Sequence, residues 1–471
     1  MTYGLSNISE EHLYLLEKTD TDIWHWDEFV KFVSCCPLLG FPYVSILTYY
    51  LCKIMKRNFK PSVSSFLAMA AVLFFVACSK ETDIPSDRNM EPKKAVHITD
   101  EAKLAMINSV KNLDGQGRLY MVDYTVDYKL DEIIAADCKG LNGLFRTIPQ
   151  LLFDEIQTTP SNVKFGAGCS AFAVTEKDGI DFYMGRNYDF RHADDKGYYP
   201  IAAILVRTSP EGGKKSISMV DGYNLGFGQG FYEDPDMDMS MLMGLPYAVL
   251  DGINEDGFAI GVLALREAPT IQSEAGKHRI GTTVAMRLLL DRVSTVREAI
   301  DTLKKYNLDT SIDGTVHPEY GEDPIGNKCA TYHYYMADAT GDFAIVEYTY
   351  GQNPSTFENP VNMESLRSEN DFRYVTNFYY SDNMARRPEG KMYSTHGLDR
   401  YNTLKNTIVN ASPAYRLSRD NAMKLLEYVS QPPTEDFTSQ TQWSSLYNCS
   451  QRTLDLAILR EYGNEYHFSV E

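Results

Sequence analysis

The sequence lacks the patterns that would make it a metal or disulfide protein. Its eight cysteines, Cys35, Cys36, Cys52, Cys78, Cys138, Cys169, Cys329 and Cys449, form no CxxC pair and no cysteine–histidine cluster of zinc spacing, and its nine histidines are scattered. No structural metal has a ligand set here, and no cofactor is implied. A disulfide framework is poorly supported, because four of the eight cysteines lie at or before residue 78. There is no basic stripe interleaved with aromatics, which sets nucleic acid aside as a partner. Internal repeats and low-complexity blocks are also missing. What is present suits a large packed protein. Of 471 residues, 44% are apolar and 12% aromatic, enough for one large core or two ordinary domains. Acidic residues outnumber basic ones 64 to 45, a net charge of −19 that reads as a well-solvated surface. Tyrosine (32), glycine (31) and proline (20) at these levels suit a sheet-rich protein.

One early segment reads as a targeting signal. Met55-Lys56-Arg57 and Lys60 form a positive start, and Ser65–Ala77 is an apolar run shorter than the ~20 residues of a spanning helix. The run ends in Phe75-Val76-Ala77-Cys78, which resembles a bacterial lipobox. In that resemblance Cys78 carries the lipid and becomes the mature N-terminus, placing the rest of the chain in the cell envelope outside the cytoplasm, periplasmic or surface. A buried core helix ending in cysteine is the alternative; the basic start, the small residue before Cys78 and the polar tail after it favour the signal. Residues 1–54 ahead of the signal are read as an over-extended start or as a cytoplasmic extension.

Residues 79–95 are charged and poor in large apolar side chains, as expected of a flexible tether. Helical spacing follows over 98–113 (Leu104, Ile107, Val110) and 127–156 (Ile133, Ile134, Leu141, Leu144, Phe145), with Thr99 as the expected N-cap. Residues 96–168 thus read as a mostly helical pro-segment. From Gly168 onward the chain changes to strands and turns. Ser170–Thr175 and Asp181–Gly185 flank the turn Lys177-Asp178-Gly179, a hairpin signal. Further strands are expected at Pro200–Thr208, Phe258–Leu265, Thr331–Ala337, Phe343–Tyr350, Phe372–Thr376, Trp443–Tyr447 and Thr453–Ile458. Helices are expected at Thr282–Arg292, Val296–Tyr306, Arg400–Asn410 and Arg419–Tyr428. Strands on both sides of a central helical pair suggest two sheets with helices outside.

The chemistry concentrates around Gly166-Ala167-Gly168-Cys169, with Gly185-Arg186-Asn187-Tyr188-Asp189 just after the second strand of the hairpin. A thiol needs help to ionise, and a nearby guanidinium lowers its pKa. An aspartate can orient the nucleophile or an adjacent amine. Glycines around Ala167 permit the strained backbone that attack on the preceding peptide bond requires.

This segment resembles the N-terminal-nucleophile cysteine hydrolases: the choloylglycine (bile salt) hydrolases, penicillin V acylases, isopenicillin acyltransferases, and N-acylethanolamine and ceramide amidases. The resemblance continues in order. Asp251-Gly252-Ile253-Asn254-Glu255-Asp256-Gly257-Phe258 resembles the family's D-G-M-N-E-K-G-L turn, and residues 331–347 resemble its hairpin of the form H-W-x-x-x-D-x-x-G-x-x-x-V-x-E. Val375-Thr376-Asn377, Asp399-Arg400-Tyr401 and Gln442–Asn448 complete it. The resemblance implies an α+β, four-layer αββα sandwich over residues 169–471. It also implies self-cleavage between Gly168 and Cys169, leaving an αβ heterodimer (78–168 and 169–471), with further self-association left open. Cys169 would be the nucleophile and its freed amine the base. Arg186 and Asp189 would flank them, Asn377 would donate to the oxyanion, and Arg400 would stabilise charge. Ala264 departs from the family, which has Asn or Tyr there, but its backbone N–H remains a donor; the departure bears on substrate choice. Asn254 joins the oxyanion or substrate candidates, although its turn position favours a structural role.

The implied reaction is hydrolysis of a linear amide in a small molecule: an N-acyl amino acid or amine, a conjugated bile acid, or a penicillin V-like compound. An acyltransferase of the same fold and a non-catalytic ligand-binding lipoprotein are the alternatives. Cys329 and His333 share a strand face but read as core, because no orienting group is evident nearby. His192 is a marginal candidate. The methionine-rich stretch 232–247 reads equally as packing or as an adaptable acyl wall.

Overall fold

Short strands closed by glycine turns dominate the structure, as the tyrosine and turn content leads one to expect. The computed structural model divides into Met1–Met90 and Glu91–Glu471. The residues it describes are 93–155, 167–190, 193–194, 197–198, 201–265, 270–315, 331–349, 362–367, 372–381, 396–433 and 440–470. The proposed signal, Cys78, residues 1–54, Gly166, His192 and Cys329 lie outside them.

In chain order the strands are β1 (Lys111–Asn112), β2 (Leu119–Tyr124), β3 (Ala167–Thr175), β4 (Phe182–Phe190), β5 (Ala193–Asp194), β6 (Gly197–Tyr198), β7 (Ala203–Thr208), β8 (Ser216–Asp221), β9 (Val249–Asn254) and β10 (Ala259–Ala264). They continue as β11 (Arg279–Gly281), β12 (Asn307–Asp309), β13 (Tyr332–Ala337), β14 (Phe343–Thr349), β15 (Asn362–Leu366), β16 (Tyr374–Val375), β17 (Gln440–Asn448), β18 (Thr453–Ile458) and β19 (Tyr466–Ser469). The helices are α1 (Glu101–Ile107), α2 (Leu130–Ala135), α3 (Gly140–Leu152), α4 (Thr282–Arg292), α5 (Val296–Leu303), α6 (Leu398–Val409) and α7 (Arg419–Val429).

Two large sheets form. One has nine strands in the order β1-β2-β7-β8-β9-β10-β13-β14-β15; the other has six, β16-β3-β4-β17-β18-β19. They face each other where β10 meets β3 and β13 meets β4. Helix α4 covers β9 and β10 and α5 covers β14, while α6 and α7 cover β3, β4, β16 and β17 on the other side. This is the expected αββα layering. A second, smaller apolar cluster lies under α6 and α7, where Phe172, Val174 and Leu446 meet Leu404, Leu425 and Leu426.

The stretch before Cys169 is less helical than its sequence suggests. The first helix is only Glu101–Ile107, and its N-cap is Asp100, whose carboxylate accepts the Lys103 N–H; Thr99 instead gives its N–H to Asp154. Residues 111–112 and 119–124 are strands. β2 pairs in parallel with β7, Leu119 opposite Ala203, and β1 covers its other edge. Burial along β2 explains this: Tyr120, Val122 and Tyr124 alternate into the core, and Leu119 at the strand start is buried as well. α3 buries Leu144, Ile148 and Leu152 at four-residue spacing, one face of the helix.

The segment before Cys169 therefore supplies sheet strands and core side chains, not a leader lying outside the fold. A chain expressed from Cys169 onward, without residues 93–168, would leave the β7 edge and its apolar face uncovered. It is expected to be insoluble and to regain solubility when residues 93–168 are co-expressed as a separate chain; a soluble, cooperatively melting 169–471 fragment would contradict this.

Candidate active site

The β3–β4 hairpin builds one wall of the site from local sequence alone. Gly179 has φ +86°, and the Glu176 N–H reaches the Asp181 carbonyl at 2.7 Å, closing the turn. The register then sets Cys169 opposite Tyr188, Ala171 opposite Arg186 and Gly168 opposite Asp189. Side chains alternate along a strand, so Cys169, Arg186 and Tyr188 share the face toward the nine-stranded sheet, and Asp189 points toward α6.

Arg186 is fully buried and lies 3.7 Å from the Cys169 sulfur through Nη2, which also donates to the Val262 carbonyl at 2.8 Å. Its Nη1 is ion-paired with buried Asp251 on β9. Asp251 further accepts from Trp443 Nε1 (3.0 Å), Ser445 Oγ (3.2 Å) and the Tyr447 hydroxyl. Gly261 is needed where the arginine passes, since a Cβ there would stand 2.6 Å from Arg186 Cδ. The guanidinium also lies over the Tyr188 ring at 5.1 Å, and the Tyr188 hydroxyl donates to Asp221 at 3.0 Å.

The other wall comes from the segment after β16 and from α6. Asn377 Oδ1 accepts the Cys169 N–H at 2.8 Å and Arg400 Nη2 at 2.8 Å. Two donors on one oxygen fix which end of the amide is which. Nδ2 then donates to the Ala264 carbonyl at 2.8 Å, leaving its second N–H unassigned. Arg400 Nη1 reaches the Cys169 carbonyl (2.6 Å) and Asp189 (3.1 Å). Gly397, at φ +81°, makes room: a Cβ there would lie 2.7 Å from Arg400 Nη2. Asp189 also accepts from Thr441 Oγ1 (2.5 Å) and Gln431 Nε2 (2.8 Å).

The electrostatics keep the thiol neutral in the intact chain. Burial pushes the Cys169 thiol above its ordinary value; Arg186 and Arg400 pull it down and Asp189 pushes it up. Burial also raises Asp189, opposed by Arg400, Thr441 and Gln431. For Arg186 burial pulls the pKa down, and Asp251, together with Cys169, Tyr447 and Tyr188, outweighs it, so the guanidinium is held above its ordinary value. Among the described residues, no group of three or more His, Cys, Asp and Glu side chains could hold a metal ion.

The structure thus brings together Cys169, Arg186, Asp189, Asn377, Arg400 and Ala264. The Ala264 N–H faces the Asn377 side, because the Leu265 N–H is the one that bonds β13, at the Thr331 carbonyl, and alternate residues point opposite ways. Asn254 is a correction. Its side chain is spent on structure: Nδ2 donates to the carbonyls of Leu290 (3.0 Å) and Val293 (2.7 Å) at the end of α4, and Oδ1 accepts from Asp256 and Phe258 N–H groups. None of these partners belongs to the oxyanion region. His333 is a core residue as expected, fully buried, but the reason given for it fails, since Glu347 does orient it, at 3.0 Å. In the methionine-rich stretch, Met239 and Met243 are buried in the core beside α3, which favours packing over an acyl wall. Asp251, with its Trp443, Ser445 and Tyr447 donors, is a site residue the sequence reading passed over. It stands in a quoted motif, but its partner is on the other sheet.

Replacing Asp251 with Asn should leave Arg186 an uncompensated buried charge. The expected cost is about 3–5 kcal/mol in urea unfolding, with faster alkylation of Cys169 by iodoacetamide, because the uncompensated guanidinium favours the thiolate. Asn254→Ala should cost about 1–3 kcal/mol and leave turnover per titrated active site unchanged; a large fall in turnover would restore it to the site.

A family model for acyl-coenzyme A:6-aminopenicillanic acid acyl-transferase matches residues 174–461, starting just beyond Cys169 and covering more than half of the chain. A penicillin V acylase from Pectobacterium atrosepticum is 33% identical over 107 residues, 22% of this chain and 26% of that protein. The chain thus spans about a quarter of that curated relative's length. Among solved structures, a variant of the conjugated bile acid hydrolase from Clostridium perfringens is 15% identical, with a TM-score of 0.42, covering 64% of this chain and 92% of that one. The penicillin V acylase from Agrobacterium tumefaciens is 16% identical, with a TM-score of 0.36, covering 62% and 83%. Likenesses at these TM-scores carry nothing about function, and the family match does not depend on them. The protein belongs to the acyl-coenzyme A:6-aminopenicillanic acid acyl-transferase family.

Proposed function

We propose that the protein is an amidase that hydrolyses linear carbon–nitrogen amide bonds through Cys169, after cutting its own chain between Gly168 and Cys169. The observation that carries this reading is the convergence on Cys169. Its amide N–H lies on Asn377 Oδ1, its carbonyl on Arg400 and its sulfur beside Arg186. In the first step the sulfur attacks the Gly168 carbonyl carbon. The C–N bond breaks, the nitrogen takes up the proton lost by the thiol, and a thioester remains. Water then hydrolyses the thioester, giving the Gly168 carboxylate, a free thiol and a free α-amine. Asn377 already holds that nitrogen. The amine next serves as base for its own thiol toward an external amide. The second N–H of Asn377 and the backbone N–H of Ala264 face the developing oxyanion. The acyl-cysteine releases its amine, and water frees the acid.

The substrate class is a small N-acyl amide, and the relatives' names point to penicillin V and conjugated bile acids as first compounds to test. The small side chain of Ala264 leaves room where the family carries Asn or Tyr. After the cut the 93–168 segment stays bound as an α chain, because β2 sits between β1 and β7 in the sheet. The lipobox-like end at Cys78 supports anchoring of that α chain in the cell envelope. Acyl transfer is the second reading, favoured by the description of the family model itself; it differs in giving the acyl group to an amine instead of water.

Cys169→Ala should appear as one uncut band on a gel and be inactive on penicillin V, N-acyl amino acids and glycine-conjugated bile acids, whereas the native chain gives two bands that co-elute. Native enzyme that is active as one uncut band would refute the cut. Adding a nucleophilic amine separates the two readings: amide product at the expense of free acid marks a transferase. Labelling with a palmitate analogue tests the anchor, since Cys78→Ala should lose the label and move to the soluble fraction.

A further inference from the structure

Beyond the residues that touch Cys169, one buried titratable pair has no place in the proposed chemistry. His333 on β13 and Glu347 on β14 are both fully buried. The hairpin register sets Tyr334 opposite Val346, so one step further His333 stands opposite Glu347. His333 Nδ1 meets Glu347 Oε1 at 3.0 Å, and its Nε2 meets the Thr376 carbonyl at 2.8 Å. A carbonyl oxygen only accepts, so Nε2 carries a proton and donates.

The remaining capacity of Glu347 is directed at one short segment. Its oxygens accept the N–H groups of Tyr380 (3.0 and 3.2 Å) and Ser381 (2.9 Å). The Tyr380 hydroxyl in turn accepts the Thr376 N–H at 3.2 Å. The pair therefore grips the backbone immediately before Asn377 and three and four residues after it. Asn377 itself uses its side chain on Cys169, Arg400 and Ala264, so nothing in those contacts sets its Cα position. A core filled only for stability would use apolar side chains here, since burying two ionisable groups is costly unless their bonds are spent on something specific.

We infer that His333 and Glu347 are positioning residues that clamp the 376–381 segment and thereby place the Asn377 amide against Cys169. This rests on the amidase reading above, and it adds a support for both the self-cutting step and amide turnover. A shift of the Asn377 amide by about 1 Å is enough to cost on the order of 10²-fold in rate.

Two near-isosteric variants dissect the clamp. His333→Gln places an amide N–H near the Nε2 position and keeps the bond to Thr376; His333→Asn places its polar end near Nδ1 and loses that bond. Both put an amide in the same buried site, so a general loss of packing affects them alike. Each is compared with the native chain for the rate of the cut at Gly168–Cys169 and for penicillin V hydrolysis per site titrated with iodoacetamide. His333→Gln should keep kcat and the cutting rate within about fivefold of native, and His333→Asn should lose about 10- to 100-fold in both, with KM unchanged within about threefold. Equal rates for the two variants, or a loss confined to KM or to the titratable fraction, would overturn the clamp. If neither variant folds, Glu347→Gln, which keeps one oxygen for the Tyr380 and Ser381 amides, is read the same way against Glu347→Leu. A native chain that neither cuts itself nor hydrolyses any of the three compound classes would instead overturn the amidase reading, and the clamp with it.

Discussion

Two charges held out of water between the sheets constrain most of what surrounds them. Arg186 comes from the six-stranded sheet and Asp251 from the nine-stranded one, and both are fully buried. Neither could sit there alone, because an unpaired buried ion costs several kcal/mol even after relaxation. Asp251 is therefore saturated with donors from β17, and Arg186 spends its other terminal nitrogen on Val262 and the Cys169 sulfur. The pair dictates an absent side chain at Gly261 and an aromatic face at Tyr188. It also fixes the spacing of the sheets where the nucleophile lies, which makes the thiol's surroundings a property of the sandwich and not of a mobile loop.

A second constraint ties the same two sheets together. The Asn377 carboxamide follows β16 of one sheet and donates to Ala264 at the end of β10 of the other. Its orientation is set by opposing chemistry at its two ends: two donors crowd the oxygen and one acceptor takes the nitrogen. Asn377 thus holds the Cys169 nitrogen as an amide, and under the proposed cut the same oxygen would hold it as an amine. Arg400 holds the carbonyl of the same residue and is itself held by Asp189, so in the proposed mechanism one set of contacts would set both attack geometry and base position.

How far the sequence reveals this depends on the range of each contact. The β3–β4 hairpin is local: a glycine turn and alternating positions are enough to place Cys169, Arg186 and Asp189 relative to one another. Asn377 and Arg400 are legible only through resemblance to a family, since more than 200 residues separate them from Cys169. Asp251 escapes because periodicity cannot say what a strand faces on the opposite sheet. Asn254 entered the candidates only through the resemblance; its turn position already pointed to the structural role that its amide, bonded to α4, fills. The strand β2 is hidden because its partner β7 is parallel and distant, while the helical spacing on either side of it is strong. His333 and Glu347 were legible in principle, because counting outward from the Asp338–Gly341 turn sets them opposite each other.

The intact chain is chemically quiet for reasons these contacts supply together. The thiol is buried and its pKa raised, so at neutral pH it stays protonated despite the guanidinium 3.7 Å away. The nitrogen beside it is an amide, whose lone pair is delocalised into the carbonyl and cannot act as a base. The arginines and the Asn377 amide are nevertheless already in position, and assembling them requires the sheet that residues 119–124 help to build. A cut at Gly168–Cys169 changes one atom's chemistry, from amide to amine, inside a site whose other members need not move. Under the proposed cut, folding of the preceding segment would be the condition for activation, and the same strand pairing would keep the two chains together afterwards.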